Sequence, residues 1–262
     1  MSRELPIYQI DAFAEGDFRG NPAAVCPLVK WLPDTLLQMI AEENNLSETA
    51  FYVPEGEGFR IRWFTPTVEV DLCGHATLAA ARVVFDRGAV EGDTILFHSR
   101  SGPLRVKRDG GLFRLDFPSQ PGQSCDMPER LAHGLGGWPV ECYRAADFLA
   151  VFSSEEEIYA LEPDFQALAT LPGRGVIVTA PGTDVDFVSR FFAPSHGIDE
   201  DAVTGSAHCT LTPYWAKRLN KTELTAWQVS KRGGVLQCRL QEDRVLISGK
   251  TRLFLKGTIW ID

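Results

Sequence analysis

Short runs in which apolar and polar residues alternate dominate this chain, and such alternation marks strands with one buried face. The pattern predicts strands over 7–13 and 23–29, joined by the turn Gly20-Asn21-Pro22. Further strands are expected over 49–53, 59–64, 94–97, 104–106 and 112–117. Beyond a polar, turn-rich stretch at 119–127, the runs 176–179, 186–192, 226–230, 235–240, 245–249 and 254–260 read the same way. Helical spacing stands over 33–44, 74–85, 128–135, 163–171 and 205–219. The first of these has one apolar face, Leu36, Leu37, Ile40 and Ala41, and stops at Asn44-Asn45. The second is apolar nearly all round, from Ala76 through Leu78 and Ala79 to Val84 and Phe85, which places it inside a core. Gly88 ends it.

The two parts of the chain resemble each other. Arg62-Trp63-Phe64-Thr65-Pro66 recurs as Arg190-Phe191-Phe192-Ala193-Pro194. Each copy leads through a loop to a helix that opens on small residues, Gly74-His75-Ala76-Thr77 and Gly205-Ser206-Ala207-His208. Two correspondences in the same order point to an ancient duplication. The expected architecture is therefore α+β, with pseudo-symmetric half-domains over 1–118 and 119–262. Each is a mixed, curved β-sheet wrapped around one central α-helix, and the expected active site lies in the cleft between them.

Composition narrows the function classes. With 26 basic and 35 acidic residues the net charge is −9, the wrong sign for nonspecific binding to phosphate backbones. Nucleic acid is not an expected partner. No apolar stretch approaches the ~20 residues a membrane helix needs, and the first residues lack the long apolar run of a signal peptide. A membrane is not an expected partner either. The six cysteines are scattered without a Cys-x-x-Cys pair, so reduced thiols in the cytoplasm are expected rather than a disulfide scaffold. Nor do the cysteines and five histidines fall at structural-zinc spacings, and no metal is expected.

Three segments carry candidate chemistry. Around Asp201-Ala202-Val203-Thr204-Gly205-Ser206, small residues at a helix start leave backbone N–H groups approachable at the positive end of the macrodipole, a cradle for a carboxylate. Ordinary capping by Thr204 is the competing reading. In Cys73-Gly74-His75, a thiol and an imidazole near a helix N-terminus are suited to acid–base work, or simply to filling a core and satisfying backbone groups. In Ser47-Glu48-Thr49, a carboxylate enters an apolar strand, where partial burial would raise its pKa towards neutrality; solvation at the junction is the alternative.

Taken together, Asn-Leu-Ser-Glu-Thr-Ala-Phe (45–51), Cys-Gly-His-Ala-Thr (73–77), Glu-Asp-Ala-Val-Thr-Gly-Ser-Ala-His (200–208) and Gly-Asn-Pro-Ala-Ala-Val (20–25) resemble the phenazine-biosynthesis isomerase family, in that family's order and over nearly the whole chain. The resemblance implies a diaminopimelate epimerase-like fold and a homodimer. It also implies a cofactor-independent isomerase that transfers a proton on a small carboxylate-bearing metabolite. It assigns the general acid/base to Glu48, with His75 and Asp201 as its catalytic companions and Gly205 and Ser206 as carboxylate binders. Ser47, Cys73, Gly74 and Thr204 complete the expected substrate-binding set. This chain carries Ala202 where the family often has proline. It also has Cys73 where diaminopimelate epimerase has its first thiol, but Thr204 at the second. A cofactor-free lyase, dehydratase or epimerase using Cys73 is thus the alternative enzyme, and a non-catalytic metabolite-binding protein the alternative from another class.

Overall fold

The computed structural model describes residues 3–261. In chain order the elements begin with β1 (Arg3–Ala12), β2 (Asn21–Pro27), α1 (Asp34–Asn44), β3 (Glu48–Glu55) and β4 (Gly58–Phe64). Then come β5 (Glu69–Val70), α2 (Gly74–Asp86), β6 (Thr94–Ser99), β7 (Gly102–Asp109) and β8 (Leu112–Pro118). The chain continues with β9 (Gln123–Ser124), α3 (Glu129–Leu135), β10 (Glu141–Arg144), β11 (Phe148–Val151), α4 (Glu155–Ala160) and α5 (Phe165–Leu168). It closes with β12 (Val176–Pro181), β13 (Phe187–Phe192), α6 (Gly205–Leu219), β14 (Glu223–Gln228), β15 (Gly234–Gln241), β16 (Arg244–Gly249) and β17 (Thr251–Ile261).

Two compact units result. One runs to Asp116 and takes back the chain from Ser248 onward; the other is Phe117–Ile247. This corrects the expectation that the second half extends to residue 262. The last strand, β17, pairs antiparallel with β1 from Arg3↔Ile261 to Ala12↔Thr251 and so belongs to the first unit. Strand pairing is satisfied by any free edge of suitable length, however distant in sequence, and no local pattern announces which edge that is.

In the first unit β1 is flanked by β17 and β2, and the sheet continues through β3, β4, β6, β7 and β8. The senses from β1 to β7 are antiparallel, parallel, antiparallel, parallel, antiparallel. Helix α2 packs on β1, β2 and β3, with ten of its 13 residues buried, as its all-round apolar sequence requires. Helix α1 contributes Leu37, Ile40 and Ala41 to a separate cluster with Phe51 and Val53 of β3. Strand β3 is therefore buried on both faces.

The second unit repeats that plan. Strands β10 to β15 pair in order, and their senses are again antiparallel, parallel, antiparallel, parallel, antiparallel. Here α6 takes the role of α2. Trp215 of α6 stacks on Phe187 of β13 with ring centroids 5.6 Å apart, and its Nε1 donates to Thr179 Oγ1 at 3.0 Å. Pro213 lies inside α6 and has no N–H to give to the Cys209 carbonyl. The Gln120 N–H takes that carbonyl instead, at 2.9 Å.

The duplicated pentapeptide is a duplicated device. Arg62 forks onto Glu69 (Nε–Oε1 2.7 Å, Nη2–Oε2 2.8 Å) with its guanidinium over the Phe64 ring. Arg190 forks onto Glu200 (2.8 and 3.1 Å) with its guanidinium over Phe192. Each ties the end of a strand to the loop that delivers the buried helix. A bidentate, stacked arginine holds such a loop in one geometry.

Some elements differ from expectation. Strands β5, β9, β10 and β11 are two to four residues long and too short to show alternation. Helix α4 is a single capped stretch that hydrophobic spacing does not reveal. The helix expected over 163–171 is one turn, Phe165–Leu168, after which the chain runs into Pro172 and Gly173.

Candidate active site

In the first unit three strand and helix ends converge. Gly20 sits at φ 78°, and a Cβ there would meet the Ala12 carbonyl oxygen at 2.3 Å, so this turn admits only glycine. It delivers Asn21, fully buried, as the first residue of β2. Asn45 ends α1 in the left-handed region at φ 48°, and the chain re-enters the sheet at Glu48, the first residue of β3. Parallel pairing sets Glu48 beside Ala23. Helix α2 opens at Cys73-Gly74-His75.

Glu48, His75 and Cys73 are all buried. His75 Nε2 stands 3.1 Å from Glu48 Oε2. The approach lies off the line of a hydrogen bond, and neither of these buried atoms has a hydrogen-bond partner among the described residues. On the other edge of the ring, Nδ1 meets Asn21 Nδ2 at 3.2 Å and Cys73 Sγ at 3.5 Å. Ser47 Oγ in turn donates to Asn21 Oδ1 at 3.5 Å. An amide nitrogen facing Nδ1 suits a ring that accepts there; a protonated ring needs the amide turned over, which presents Oδ1 in the same place.

Electrostatics separate the two protonatable neighbours. Burial, and after it the Glu48 carboxylate, push the Cys73 thiol up to about 11, with His75 opposing only in part. Burial by itself would depress His75, but Cys73 and Glu48 outweigh it and hold the ring well above the ordinary imidazole value. Near neutral pH the cysteine is therefore a thiol. The donor atoms of Glu48, Cys73 and His75 lie within 4.8 Å of one another, close enough for a metal shell. Cys73 contacts Nδ1 and Glu48 contacts Nε2, so their closest approaches lie on opposite edges of the ring.

The second unit holds the other expected residues. Asp201 N–H donates to the Phe191 carbonyl at 3.0 Å, and Thr204 Oγ1 donates to Asp201 Oδ2 at 2.6 Å. Thr204 does occupy the N-cap position of α6, but its hydroxyl is spent on Asp201 and makes no cap hydrogen bond. Cys73 likewise stands at the N-cap of α2 without capping it. Gly205 is buried and Ser206 half-buried in the first turn of α6, as Gly74 is half-buried in the first turn of α2. Thus Glu48, His75, Cys73 and, through Asn21, Ser47 form one group, while Asp201, Thr204, Gly205 and Ser206 form another within their own unit.

Two positioning residues escape a reading of the sequence. Asn21 belongs to a Gly-Asn-Pro stretch that reads as a turn, although its amide lies against His75. Gln228 ends β14 with no local signal at all. It is fully buried, its Nε2 donates to the Asp201 carbonyl at 2.9 Å, and its Oε1 accepts the Thr204 N–H at 2.8 Å. Ser230 Oγ adds a hydrogen bond to the Ala202 carbonyl at 2.7 Å. These contacts hold the loop at Ala202. His208, one turn into α6, has its Nδ1 2.8 Å from the Thr204 carbonyl, its buried Nε2 makes no hydrogen bond among the described residues, and burial lowers it to about 4.

A duplicated α+β unit built round a buried helix is also the fold of epimerases. A hydroxyproline epimerase from Agrobacterium vitis shares it at a TM-score of 0.62, over 99% of this chain and 93% of that one, with 11% identity. The family is narrower than that class. A family model described as phenazine biosynthesis-like protein matches residues 10–257, and the chain belongs to this family. A PhzF family protein of Enterococcus faecalis superposes at a TM-score of 0.97 with 50% identity, over 99% of this chain and 100% of that one. An uncharacterized isomerase of Pseudomonas aeruginosa is 56% identical over 257 residues, 98% of each chain. The chain is accordingly an enzyme of isomerase type. Among the described residues no helix is long and apolar enough to cross a membrane.

Proposed function

We propose that the chain is a cofactor-independent isomerase that moves a proton on a small carboxylate-bearing metabolite, with Glu48 as the general acid/base. The observation that carries this reading is the buried pair Glu48 Oε2 and His75 Nε2, 3.1 Å apart as an ion pair, with no hydrogen bond made by either atom among the described residues. Leaving such groups without hydrogen bonds costs about 1–3 kcal/mol each, a cost that a substrate able to bond to them would offset. In the proposed step the Glu48 carboxylate takes a proton from a carbon next to an unsaturated acid. The electron pair moves into the conjugated system, and the new carboxylic acid returns the same proton to another carbon on the same face. His75 orients Glu48 and binds a polar substituent. Asp201, Gly205 and Ser206 serve to bind the substrate, the backbone N–H groups of the α6 first turn holding its carboxylate as charge builds.

A lyase or epimerase using Cys73 is less well supported, because its thiol is pushed up to about 11 and its counterpart at the start of α6 is Thr204. A pure binding protein has no use for a carboxylate buried beside an imidazole. The homodimer implied by the resemblance and the cytoplasmic location expected from the scattered cysteines belong to the same proposal, and light scattering tests the first. The function itself is tested by incubating small unsaturated amino and hydroxy acids with the protein in heavy water. Chromatography coupled to mass spectrometry should find an isomer that elutes apart from the substrate, carrying solvent deuterium to the extent that the proton on Glu48 exchanges before its return, made by wild type and not by Glu48→Gln. Loss of water from the substrate would put the lyase reading first.

A further inference from the structure

Outside the residues argued for proton transfer, the second unit holds a pair of facing thiols. Strands β9 and β10 pair antiparallel with Gln123 opposite Arg144 and Ser124 opposite Tyr143. One step further along the same ladder sets Cys125 opposite Cys142, and the Cys125 N–H donates to the Cys142 carbonyl at 3.1 Å. The two sulfurs stand 3.5 Å apart. Directly opposed residues of antiparallel strands have Cα atoms about 4.5–5.5 Å apart, inside the ~4.4–6.8 Å range that a disulfide spans. Both cysteines are free thiols, and Cys125 is the only one of the six that is partly exposed rather than buried.

We propose that Cys125 and Cys142 are a reversible redox couple, closed to a disulfide by a hydroperoxide. The partly exposed Cys125 sulfur attacks the peroxide oxygen; the O–O bond breaks, water or an alcohol leaves with the thiol proton, and Cys125 becomes a sulfenic acid. The Cys142 sulfur then attacks the Cys125 sulfur, forming S–S and breaking S–O, and the hydroxyl leaves as water with the Cys142 proton. A small dithiol reverses the bond by exchange and is itself oxidised. The assignment of roles follows from access. Cys142 belongs to the apolar core of the unit with Leu131, Phe148 and Ile158, and burial pushes its thiol up to about 12, so it resolves rather than attacks. The closed ring would contain all of α3 and fix the segment that reaches back to Gln120, whose N–H caps the carbonyl freed by Pro213.

The test uses the full chain, fully reduced and then exposed to hydrogen peroxide. Intact mass should fall by two hydrogens, a non-reduced digest should join the peptides of Cys125 and Cys142, and dithiothreitol should restore the starting mass. The oxidised protein should melt several degrees higher than the reduced one, because a covalent link restricts the unfolded chain. Cys125→Ser should give neither the mass loss nor the shift in melting. Cys142→Ser should stop at a sulfenic acid on Cys125, captured by dimedone. Six titratable thiols surviving peroxide treatment, a disulfide between other cysteines, or the same mass loss in Cys125→Ser would each overturn the proposal.

Discussion

His75 Nε2 stands 3.1 Å from Glu48 Oε2 with both side chains buried, yet the two atoms are not aligned as a hydrogen bond. The pair is held from outside itself: Asn21 and Cys73 meet the far edge of the ring, and parallel pairing of β2 with β3 fixes where Glu48 enters the sheet. This is a close ion pair whose two facing atoms keep unused hydrogen-bonding capacity.

Glu48→Gln is expected to lower kcat by about 10²–10⁴-fold or more, since a positioned acid/base is lost and the amide cannot exchange a proton. Substrate affinity and melting temperature should change little, because size and shape are kept. Glu48 is also one of the two neighbours that hold His75 up, so His75 should titrate lower in this variant. Steady-state kinetics and an NMR titration of the His75 ring check the two expectations separately.

Cys73→Ala should keep activity within about tenfold of wild type, as expected of a wall residue rather than the base. The thiol is protonated in this environment, and removing it takes away a contact with Nδ1 that Asn21 also makes. A fall of several orders of magnitude in a folded variant would instead make the thiol a participant.

Gln228→Ala should destabilise the protein by about 2–4 kcal/mol, since it leaves the buried Thr204 N–H without the Gln228 oxygen and takes a hydrogen bond from the Asp201 carbonyl. Amide exchange over 201–206 should quicken, and KM should rise more than kcat falls if this loop binds substrate. Urea denaturation and hydrogen exchange read the first two effects, and kinetics the third.

Acid should weaken the second unit through His208. Its folded value is lowered to about 4 by burial, against an unfolded value near ~6.5. As pH falls the unfolded chain therefore takes up the proton first. The stability is complete above ~6.5 and is lost progressively down to about 4, by roughly 3 kcal/mol in all. His208→Gln should flatten the pH dependence of denaturation across that window.

Much of the plan is legible in the residues because it is local. The all-round apolar run of α2, the Asn44-Asn45 stop of α1 and the start of α6 at Gly205 follow from periodicity and capping. The paired Arg-aromatic-Phe-x-Pro segments disclose the duplication, and the structure shows why they recur: Arg62–Glu69 and Arg190–Glu200 are the same clamp. Helix α4 was also within reach, since Ser154 and Glu157 form a capping box readable as Ser-x-x-Glu. Glu48, Cys73 and His75 could be named as a set from family motifs, but nothing in their spacing says they touch.

What only the tertiary structure decided is long-range. Strand β17 joins β1 across almost the whole chain, and the four-residue strands β10 and β11 exist because neighbours complete their hydrogen bonds. Asn21 faces His75, and Gln228 binds Asp201 and Thr204, through contacts whose partners lie 54, 27 and 24 positions away. A buried amide is chosen by the groups it must satisfy, and those groups are assembled only when the sheet is. Burial itself, which holds the Cys73 thiol near 11 and His208 near 4, is likewise a property of the packed chain. The residues carry the periodicities and the chemistry, while the removal of water that sets how that chemistry behaves arises from packing remote segments together.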